Sequence, residues 1–217
     1  MNNTTLQKLG KYRLLVTAIL LVGLYLVGLL GLLTRYQAQM LALTPFTLLM
    51  TAFLLFIHHT PWSKTFILYC LFTGLASFLV EVVGVKTGLL FGTYYYGATL
   101  GWQVWGVPLV IGLNWLMLVY AVGNTLSALL MHDASKSLMG ALILTLLDGL
   151  IEPVAERLDF WHWEQAAVPS LNYIGWYVVS FALLMLFYKF RGHTHNRMSK
   201  LVYIVLLCFF GLLSWCL

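Results

Sequence analysis

The sequence predicts an all-α, polytopic membrane protein with about seven transmembrane helices in one bundle. Hydrophobic residues make up 61% of the 217 positions and charged residues 9%, whereas a soluble domain averages about 45–50% and about 25%. The few charges stand between long apolar runs, and a helix of about 20 apolar residues crosses the bilayer core. The runs are continuous rather than alternating, which favours helices over a β-barrel. We therefore treat residues 1–217 as a single transmembrane domain.

Seven apolar runs predict the spans, with boundaries good to a few residues. The first run follows several basic residues, as in a signal peptide, but it is too long and lacks a small-residue cleavage motif. We interpret it as a retained anchor, and the second and seventh runs are the weakest candidates. The predicted spans are Leu14–Leu33, Leu41–Ile57, Thr65–Val83, Val107–Met131, Leu138–Ala155, Leu171–Phe190 and Leu201–Leu217.

The basic residues predict that the N-terminus is cytoplasmic. In that orientation nine lysine and arginine residues lie inside and three lie outside, as the positive-inside rule requires. The net charge of +5 then serves topology and contact with anionic headgroups, and no clustered basic face suggests nucleic acid. We expect a multi-pass protein of the plasma or inner membrane. The inside residues are Lys8, Lys11, Arg13, Lys64, Lys136, Lys189, Arg191, Arg197 and Lys200, and the outside residues are Arg35, Lys86 and Arg157.

Three carboxylates fall inside the predicted spans. Glu81 lies near the end of span three, and Asp148 and Glu152 lie in the second half of span five, where an ionisable side chain costs about 2.5–3.5 kcal/mol. Asp148, Glu152 and Glu156 are spaced i, i+4, i+8, so they share one helix face until Pro153 and its neighbours end the helix. A functional site is the expected reason for such acids.

The topology brings these acids to one level of the bilayer. Spans three and five both run outward, so Glu81, Asp148 and Glu152 lie toward their outer ends. Asn114 in span four and Asn172 at the start of span six reach the same level. We therefore predict a polar cluster, and with it an active site, in the outer leaflet.

Aromatic residues are concentrated on the same side, many of them in the long interruption Gly84–Gly106. This segment is predicted to be a re-entrant or surface-lying loop whose glycines permit tight turns. Two interpretations stay open: an interfacial aromatic belt, or a pocket whose ring faces stabilise a cation. The residues are Phe91, Tyr94, Tyr95, Tyr96, Trp102 and Trp105 in the loop, and Trp115, Phe160, Trp161 and Trp163 in or near other outer segments.

A purely structural role for the acids is also possible. Glu81 paired with Lys86, or Glu156 paired with Arg157 and loop donors, would leave salt bridges and no reaction. Asp159 and Glu164, like Glu156, are expected to be solvated.

No metal or cofactor is predicted. His58, His59 and His162 are conceivable ligands, the last together with Glu164 and Asp148, but no tight motif such as H-E-x-x-H is present. Nucleophilic triads and phosphate-binding loops are absent as well.

Two blocks of the sequence resemble a known family. The first runs from Glu81 to Gly101 and continues over Gly106–Trp115. The second contains Asp148-Gly-Leu-Ile-Glu-Pro-Val-Ala155, Phe160-Trp-His-Trp163, Val168-Pro-Ser-Leu-Asn172 and Gly175-Trp176. Together they resemble the carotenoid biosynthesis membrane proteins of the CruF type, the carotenoid 1,2-hydratases and archaeal bisanhydrobacterioruberin hydratases. Those proteins tend to carry Asp before the proline of the second block, where this chain has Glu152.

The resemblance implies an enzyme that adds water to the terminal double bond of an acyclic carotenoid. A carboxylic acid in apolar surroundings stays protonated at neutral pH and can protonate the alkene, leaving a tertiary carbocation that water captures. The implied partners are the acyclic carotenoid, water, the lipid bilayer and possible other carotenoid-pathway enzymes, with no nucleic acid and no cofactor. The implied catalytic residues are Glu81, Asp148 and Glu152, and the implied substrate-binding residues are Lys86, Thr87, Phe91, Tyr94, Tyr96, Asn114, Trp115, Trp161, Trp163, Asn172 and Trp176.

Three alternatives remain open at this point. A membrane-embedded lycopene cyclase would use the same protonation but capture the cation with an internal double bond. A transporter or channel would use the acids to relay protons or bind cations, although no inverted repeat is visible. A structural or assembly subunit would have no chemistry.

Overall fold

The computed structural model describes residues 3–165, 167–190 and 195–217, with side chains from residue 10 onward. It is mostly helical, at 72%. Of the basic residues used to predict the orientation, Arg191 and the side chain of Lys8 lie outside this described part. The helices are α1 (Asn3–Leu32), α2 (Gln37–Ala42), α3 (Thr44–Phe56), α4 (Lys64–Thr87), α5 (Val110–Leu126), α6 (Asp133–Arg157), α7 (Ser170–Lys189) and α8 (Met198–Cys216).

Five helices in the described residues are long and apolar enough to cross a membrane, as expected of a multi-pass membrane protein. They are α1 from Gly10, α4, α6, α7 and α8. The other two predicted spans correspond to shorter apolar helices, α3 and α5. The count of seven spans and the cytoplasmic N-terminus therefore stay predictions.

The second predicted span, Leu41–Ile57, is interrupted. Helix α2 ends at Ala42 and α3 begins at Thr44, with Leu43 between them. Pro45 lies in the first turn of α3, where its missing N–H costs no hydrogen bond and its fixed φ suits the helix. The break produces two short helices instead of one long one.

Helix α5 is the centre of the bundle. It packs against α3, α4, α6, α7 and α8, and most of its residues are buried. Gly112 of α5 lies so close to Gly74 of α4 that a Cβ at residue 112 would meet the Gly74 carbonyl oxygen at 2.5 Å. Small residues at such crossings let helix backbones approach closely inside a membrane.

Helix α6 continues through Pro153 to Arg157, so the prediction that it ends at this proline is wrong. Proline removes one backbone hydrogen bond of the preceding turn. Extensive packing of α6 against α7 and α8 keeps the helix together across that position, as tertiary contacts commonly do for helices in proteins.

Four short strands lie in the loops: β1 (Tyr94–Tyr96), β2 (Gln103–Val104), β3 (Val107–Pro108) and β4 (Trp161–Trp163). Strand β2 pairs with β3 in a hairpin, and β1 pairs with β4 in antiparallel fashion. The α4–α5 loop, which was predicted to be re-entrant or surface-lying, contains three strands, and one of them joins it to the α6–α7 loop. Both loops lie at the same end of the bundle.

Candidate active site

Glu81 is buried near the end of α4 and accepts three hydrogen bonds. Its Oε2 atom accepts from the hydroxyls of Tyr94 at 2.6 Å and Tyr96 at 2.8 Å, and its Oε1 atom accepts from Nε1 of Trp115 at 2.7 Å. The two tyrosines lie on the same face of β1 because side chains alternate along a strand. Burial, together with the adjacent Glu81 carboxyl group, raises the pKa of both tyrosines, so their hydroxyls keep their protons.

Glu152 of α6 has an equivalent set of donors. Its Oε2 atom accepts from Nε1 of Trp163 at 2.8 Å and from Nε1 of Trp161 at 3.2 Å, and its Oε1 atom accepts from Nδ2 of Asn172 at 2.9 Å. The two tryptophans share one face of β4 for the same reason of alternation. The side chain of Glu152 is buried.

Asn172 connects Glu152 to Asp148, which lies one turn earlier on α6. Nδ2 of Asn172 also donates to Oδ2 of Asp148 at 2.8 Å. Asp148 is fully buried, and its Oδ1 atom has no hydrogen-bond partner within the described part of the chain. One amide at the start of α7 thus touches two acids of α6, which is the proximity predicted from their i, i+4 spacing.

The β1–β4 pairing places the donors of both glutamates side by side. Tyr94 lies opposite Trp163 and Tyr96 opposite Trp161, with ring centroids 5.2 Å and 6.2 Å apart. One face of this two-stranded sheet therefore presents two hydroxyls to Glu81 and two indole N–H groups to Glu152. The sequence contained a signal for the sheet, since Tyr-x-Tyr and Trp-x-Trp have the two-residue period of strands, but it did not reveal which segments pair.

The opposite face of the sheet carries His162, which lies against two acids. Nε2 of His162 lies 2.8 Å from Oδ1 of Asp159, and its Nδ1 lies 3.3 Å from Oε1 of Glu156. The hydrogen bond with Asp159 raises the pKa of His162, and the same bond, with a backbone N–H from Ala98, lowers the pKa of Asp159. Glu156 thus contacts His162 of the α6–α7 loop, one of the loop donors that the structural alternative expected.

The acids on the inner side of the sheet, the side that faces the helix bundle, have no cationic partner. Among the residues whose side chains are described, the ion pairs are Lys136 with Asp133 and His162 with its two acids. Lys86, the partner considered for Glu81, is exposed at the end of α4. The donors to Glu81 and Glu152 are all neutral groups, so a simple salt-bridge role does not account for these buried acids.

The two glutamates lie on the wall of one apolar cavity of about 230 Å³. The rings of Trp115 and Trp176 stack at 4.2 Å and form part of this wall. Asp148 does not line the cavity, and neither do Lys86 and Thr87, whose hydroxyl accepts from Leu89 N where α4 ends. The residues predicted for the site that do line it are Glu81, Glu152, Phe91, Tyr94, Tyr96, Asn114, Trp115, Trp161, Trp163, Asn172 and Trp176.

Sequence reasoning missed the far wall of this cavity. Residues of α1, α3 and α8, among them Tyr25, Phe46 and Phe209, also line the cavity. No signal in the sequence could have found them, because they are apolar side chains in apolar helices and resemble their lipid-facing neighbours.

The histidines considered as metal ligands lie apart from one another. His58 contacts the hydroxyl of Thr17 at 3.0 Å and His59 contacts that of Tyr120 at 2.8 Å, whereas His162 lies on β4. No group of three or more His, Cys, Asp or Glu side chains that could hold a metal occurs in residues 10–165, 167–190 and 195–217.

Comparison with known proteins agrees with the family resemblance of the two sequence blocks. A family model described as "Carotenoid biosynthesis protein" matches residues 14–216. A protein of Haloarcula japonica named bisanhydrobacterioruberin hydratase is 29% identical over 126 residues, which are 52% of this chain and 41% of that protein. The match therefore spans less than half of the relative's length. No solved structure is significantly similar to the chain.

Proposed function

Because the chain belongs to the carotenoid biosynthesis protein family, we propose that it is a carotenoid hydratase that adds water to the terminal double bond of an acyclic carotenoid. The name of the similar Haloarcula japonica protein supports hydration as the reaction. The apolar helices suit a substrate that dissolves in the bilayer.

The observation that carries the proposal is the pair of buried glutamates, Glu81 and Glu152, on the wall of one apolar, ring-lined cavity. Each accepts three hydrogen bonds from neutral donors. Burying a carboxyl group without a cationic partner is unfavourable, so its retention here needs a function. A reaction that passes through a positive charge inside an apolar cavity supplies one.

The proposed reaction begins with transfer of a proton to the less substituted carbon of the terminal C=C bond. The π electron pair forms the new C–H bond and leaves a tertiary carbocation. The oxygen of a water molecule then attacks that carbon, and the extra proton of the resulting oxonium returns to a carboxylate. The sum is the addition of one water to give a tertiary alcohol, and the protein regains its starting state once the proton gained by the accepting carboxylate has been transferred back to the donating one.

The hydrogen-bond donors suggest different roles for the two glutamates. Indole N–H groups only donate, so the two indoles on Oε2 of Glu152 suit a carboxylate that faces the cation and accepts the proton of water. Tyrosine hydroxyls can donate or accept, so Oε2 of Glu81 can carry a proton while Tyr94 or Tyr96 accepts from it. We therefore assign proton donation to Glu81 and charge stabilisation to Glu152.

Asp148 and the cavity tryptophans have supporting roles in this proposal. Asp148 shares the amide of Asn172 with Glu152, and two adjacent buried carboxylates do not both ionise, so the proton they retain belongs on Asp148. Asp148 is thus a positioning residue that holds Asn172 against Glu152. The stacked rings of Trp115 and Trp176 can stabilise the carbocation, each by about 0.5–2 kcal/mol.

Expression in a bacterial host that accumulates an acyclic carotenoid tests the proposal. We expect extracted pigments one water molecule heavier than the substrate. A product of unchanged mass but altered chromatographic retention would indicate the cyclase alternative, and unaltered pigments would indicate a transporter or assembly role. Glu152→Gln should abolish the product, whereas Glu156→Gln, at an exposed residue one turn later on α6, should leave it unchanged. Equal pigment yields from these two variants would refute the role of Glu152.

A further inference from the structure

The cavity extends well beyond the two glutamates. Its far part is formed by α1, α8 and the α2–α3 junction, which comprises residues 40–48. The walls there are almost entirely apolar. Tyr25 of α1 and Phe209 of α8 meet edge to face at 5.0 Å in this wall. Gly28, one turn after Tyr25, leaves space above the Phe209 ring, since a Cβ there would lie 3.7 Å from it.

The far part of the cavity opens sideways from the bundle. Of the described residues that line it, only Val27, Leu43 and Phe46 are exposed, at 62%, 47% and 50%. All three lie on α1 or at the α2–α3 junction. Helix α1 is itself a candidate span, and only 17% of its span residues are buried inside the bundle. This edge of the cavity therefore lies beside a helix that is long and apolar enough to cross a membrane.

The cavity is too small to enclose a whole carotenoid. Its volume of about 230 Å³ is below the roughly 300–1,000 Å³ of sites that enclose drug-sized ligands. An acyclic carotenoid is about as long as the hydrocarbon core is thick, roughly 30 Å. Only one end of such a chain can occupy the cavity beside the glutamates, so the remainder must leave through the lateral opening.

We propose that the unreacted polyene chain of the substrate lies in the opening between α1 and the α2–α3 junction, against Val27, Gly28 and Phe46, with its far end in the bilayer. This inference rests on the proposed function for the identity of the occupant. It follows that each binding event presents one end of the carotenoid to Glu81 and Glu152. A substrate with two reactive ends must dissociate and bind again before its second end reacts.

Two glycine substitutions on α1 form a matched test. Gly28→Leu places a side chain in the opening, whereas Gly23→Leu, on the same helix, points into open space and does not line the cavity. Both changes should be tolerated by the helix, because leucine is a better helix former than glycine. Size-exclusion elution and thermal unfolding of the full-length variants check that both fold.

Binding of a conjugated acyclic polyene is measured by quenching of the tryptophans that line the cavity, alongside product yield. We expect Gly28→Leu to weaken polyene binding by about tenfold or more, because several buried methylene contacts are displaced, and Gly23→Leu to match the parent protein. A short acyclic isoprenoid alkene that fits inside the cavity should bind Gly28→Leu as well as it binds the parent. Equal polyene binding by both variants, or equal loss of the long and short ligands, would overturn the proposal and leave a lipid acyl chain as the occupant.

The binding measurement separates this inference from the proposed function. If Gly28→Leu selectively loses polyene binding, the opening is supported. If the parent protein also hydrates neither the polyene nor the short alkene, hydration is refuted. In a time course with a substrate reactive at both ends, the singly hydrated product should accumulate before the doubly hydrated one. Direct formation of the doubly hydrated product would contradict processing of one end at a time.

Discussion

The two faces of the β1–β4 sheet contact acidic side chains in opposite surroundings. On the inner face, hydroxyl and indole donors hold Glu81 and Glu152, which are 4% and 3% exposed. On the outer face, His162 contacts Asp159 and Glu156, whose side chains are about half exposed at 50% and 51%. Adjacent residues of a strand point to opposite faces, so a three-residue strand can separate the two environments.

The difference is consistent with the catalytic role proposed for the inner glutamates. A cationic neighbour would neutralise an inner glutamate and hold it in a salt bridge. Neutral donors fix its position without supplying a compensating charge. The histidine is confined to the outer face, where water screens the pair and little desolvation is required.

The two faces should differ most in how product formation responds when one carboxylate is removed from each. Glu81→Gln keeps the size of the side chain but removes the proposed proton donor, so product formation should fall by about 10²–10⁴-fold. Asp159→Asn on the outer face should keep the parent rate. Pigment yield per folded protein measures both, and comparable losses in the two variants would contradict the distinction between the faces.

Asn172 tests whether the inner acids act as a unit. In Asn172→Leu, Asp148 and Glu152 lose their shared donor, and the lost hydrogen bond to the charged Glu152 is worth about 1.5–3 kcal/mol. We expect the turnover rate at saturating substrate to fall by about 10–100-fold, while binding of the polyene stays near that of the parent. A loss of polyene binding with normal turnover would show that Asn172 serves substrate binding instead.

Trp163 provides a smaller perturbation of the same environment. Trp163→Phe keeps an aromatic ring against Tyr94 but removes the shorter of the two indole bonds to Oε2 of Glu152, and Trp161 still donates to that atom. We expect a loss of turnover of about tenfold, which corresponds to about 1.4 kcal/mol. Trp102→Phe, at a residue that is 88% exposed, is the matched control and should have no effect.

The smallest effect is expected on the outer face and concerns stability. Because the pKa of His162 is raised, the stability that its pairing contributes is fully present below its ordinary pKa of 6.5. That stability is lost as pH rises through the folded-state pKa. Because the pKa of Asp159 is lowered, the stability that it contributes is fully present above its ordinary pKa of 3.8. That stability is lost as pH falls through the folded-state pKa. An exposed pair of this kind is worth about 0.2–1 kcal/mol.

Thermal unfolding against pH therefore should show a small stability plateau between these two values. His162→Gln should remove the plateau and leave hydration activity near the parent level. A pH dependence that persists in His162→Gln would assign the plateau to other titrating groups.

Part of the site could be predicted from local patterns. Asp148, Glu152 and Asn172 were expected to meet, and they do, because i, i+4 spacing places two side chains on one helix face whatever the rest of the fold. The expected clustering of aromatics around the acids rested on loops at one end of antiparallel helices. Glu81 was expected in the same group, and it lines the same cavity as Glu152.

Other features depended on contacts between distant segments. Asp148 is one turn from Glu152 yet lies behind the cavity wall, because the packing of α7 on α6 decides which acid faces the space. Helix α6 passes through Pro153 because its neighbours stabilise it. The far part of the cavity depends on how α1, α8 and the α2–α3 junction pack together, and no local pattern encodes that packing.

By itself, the sequence determined that this chain forms apolar helices and where its acids lie along them, because hydrophobicity and helical periodicity act over a few neighbouring residues. Only the tertiary structure decided that β1 pairs with β4, that the two glutamates share one cavity and that this cavity extends to α1, α8 and the α2–α3 junction. Those features depend on pairing and packing between residues that lie far apart in the chain. The free energies of such contacts depend on long-range chain geometry.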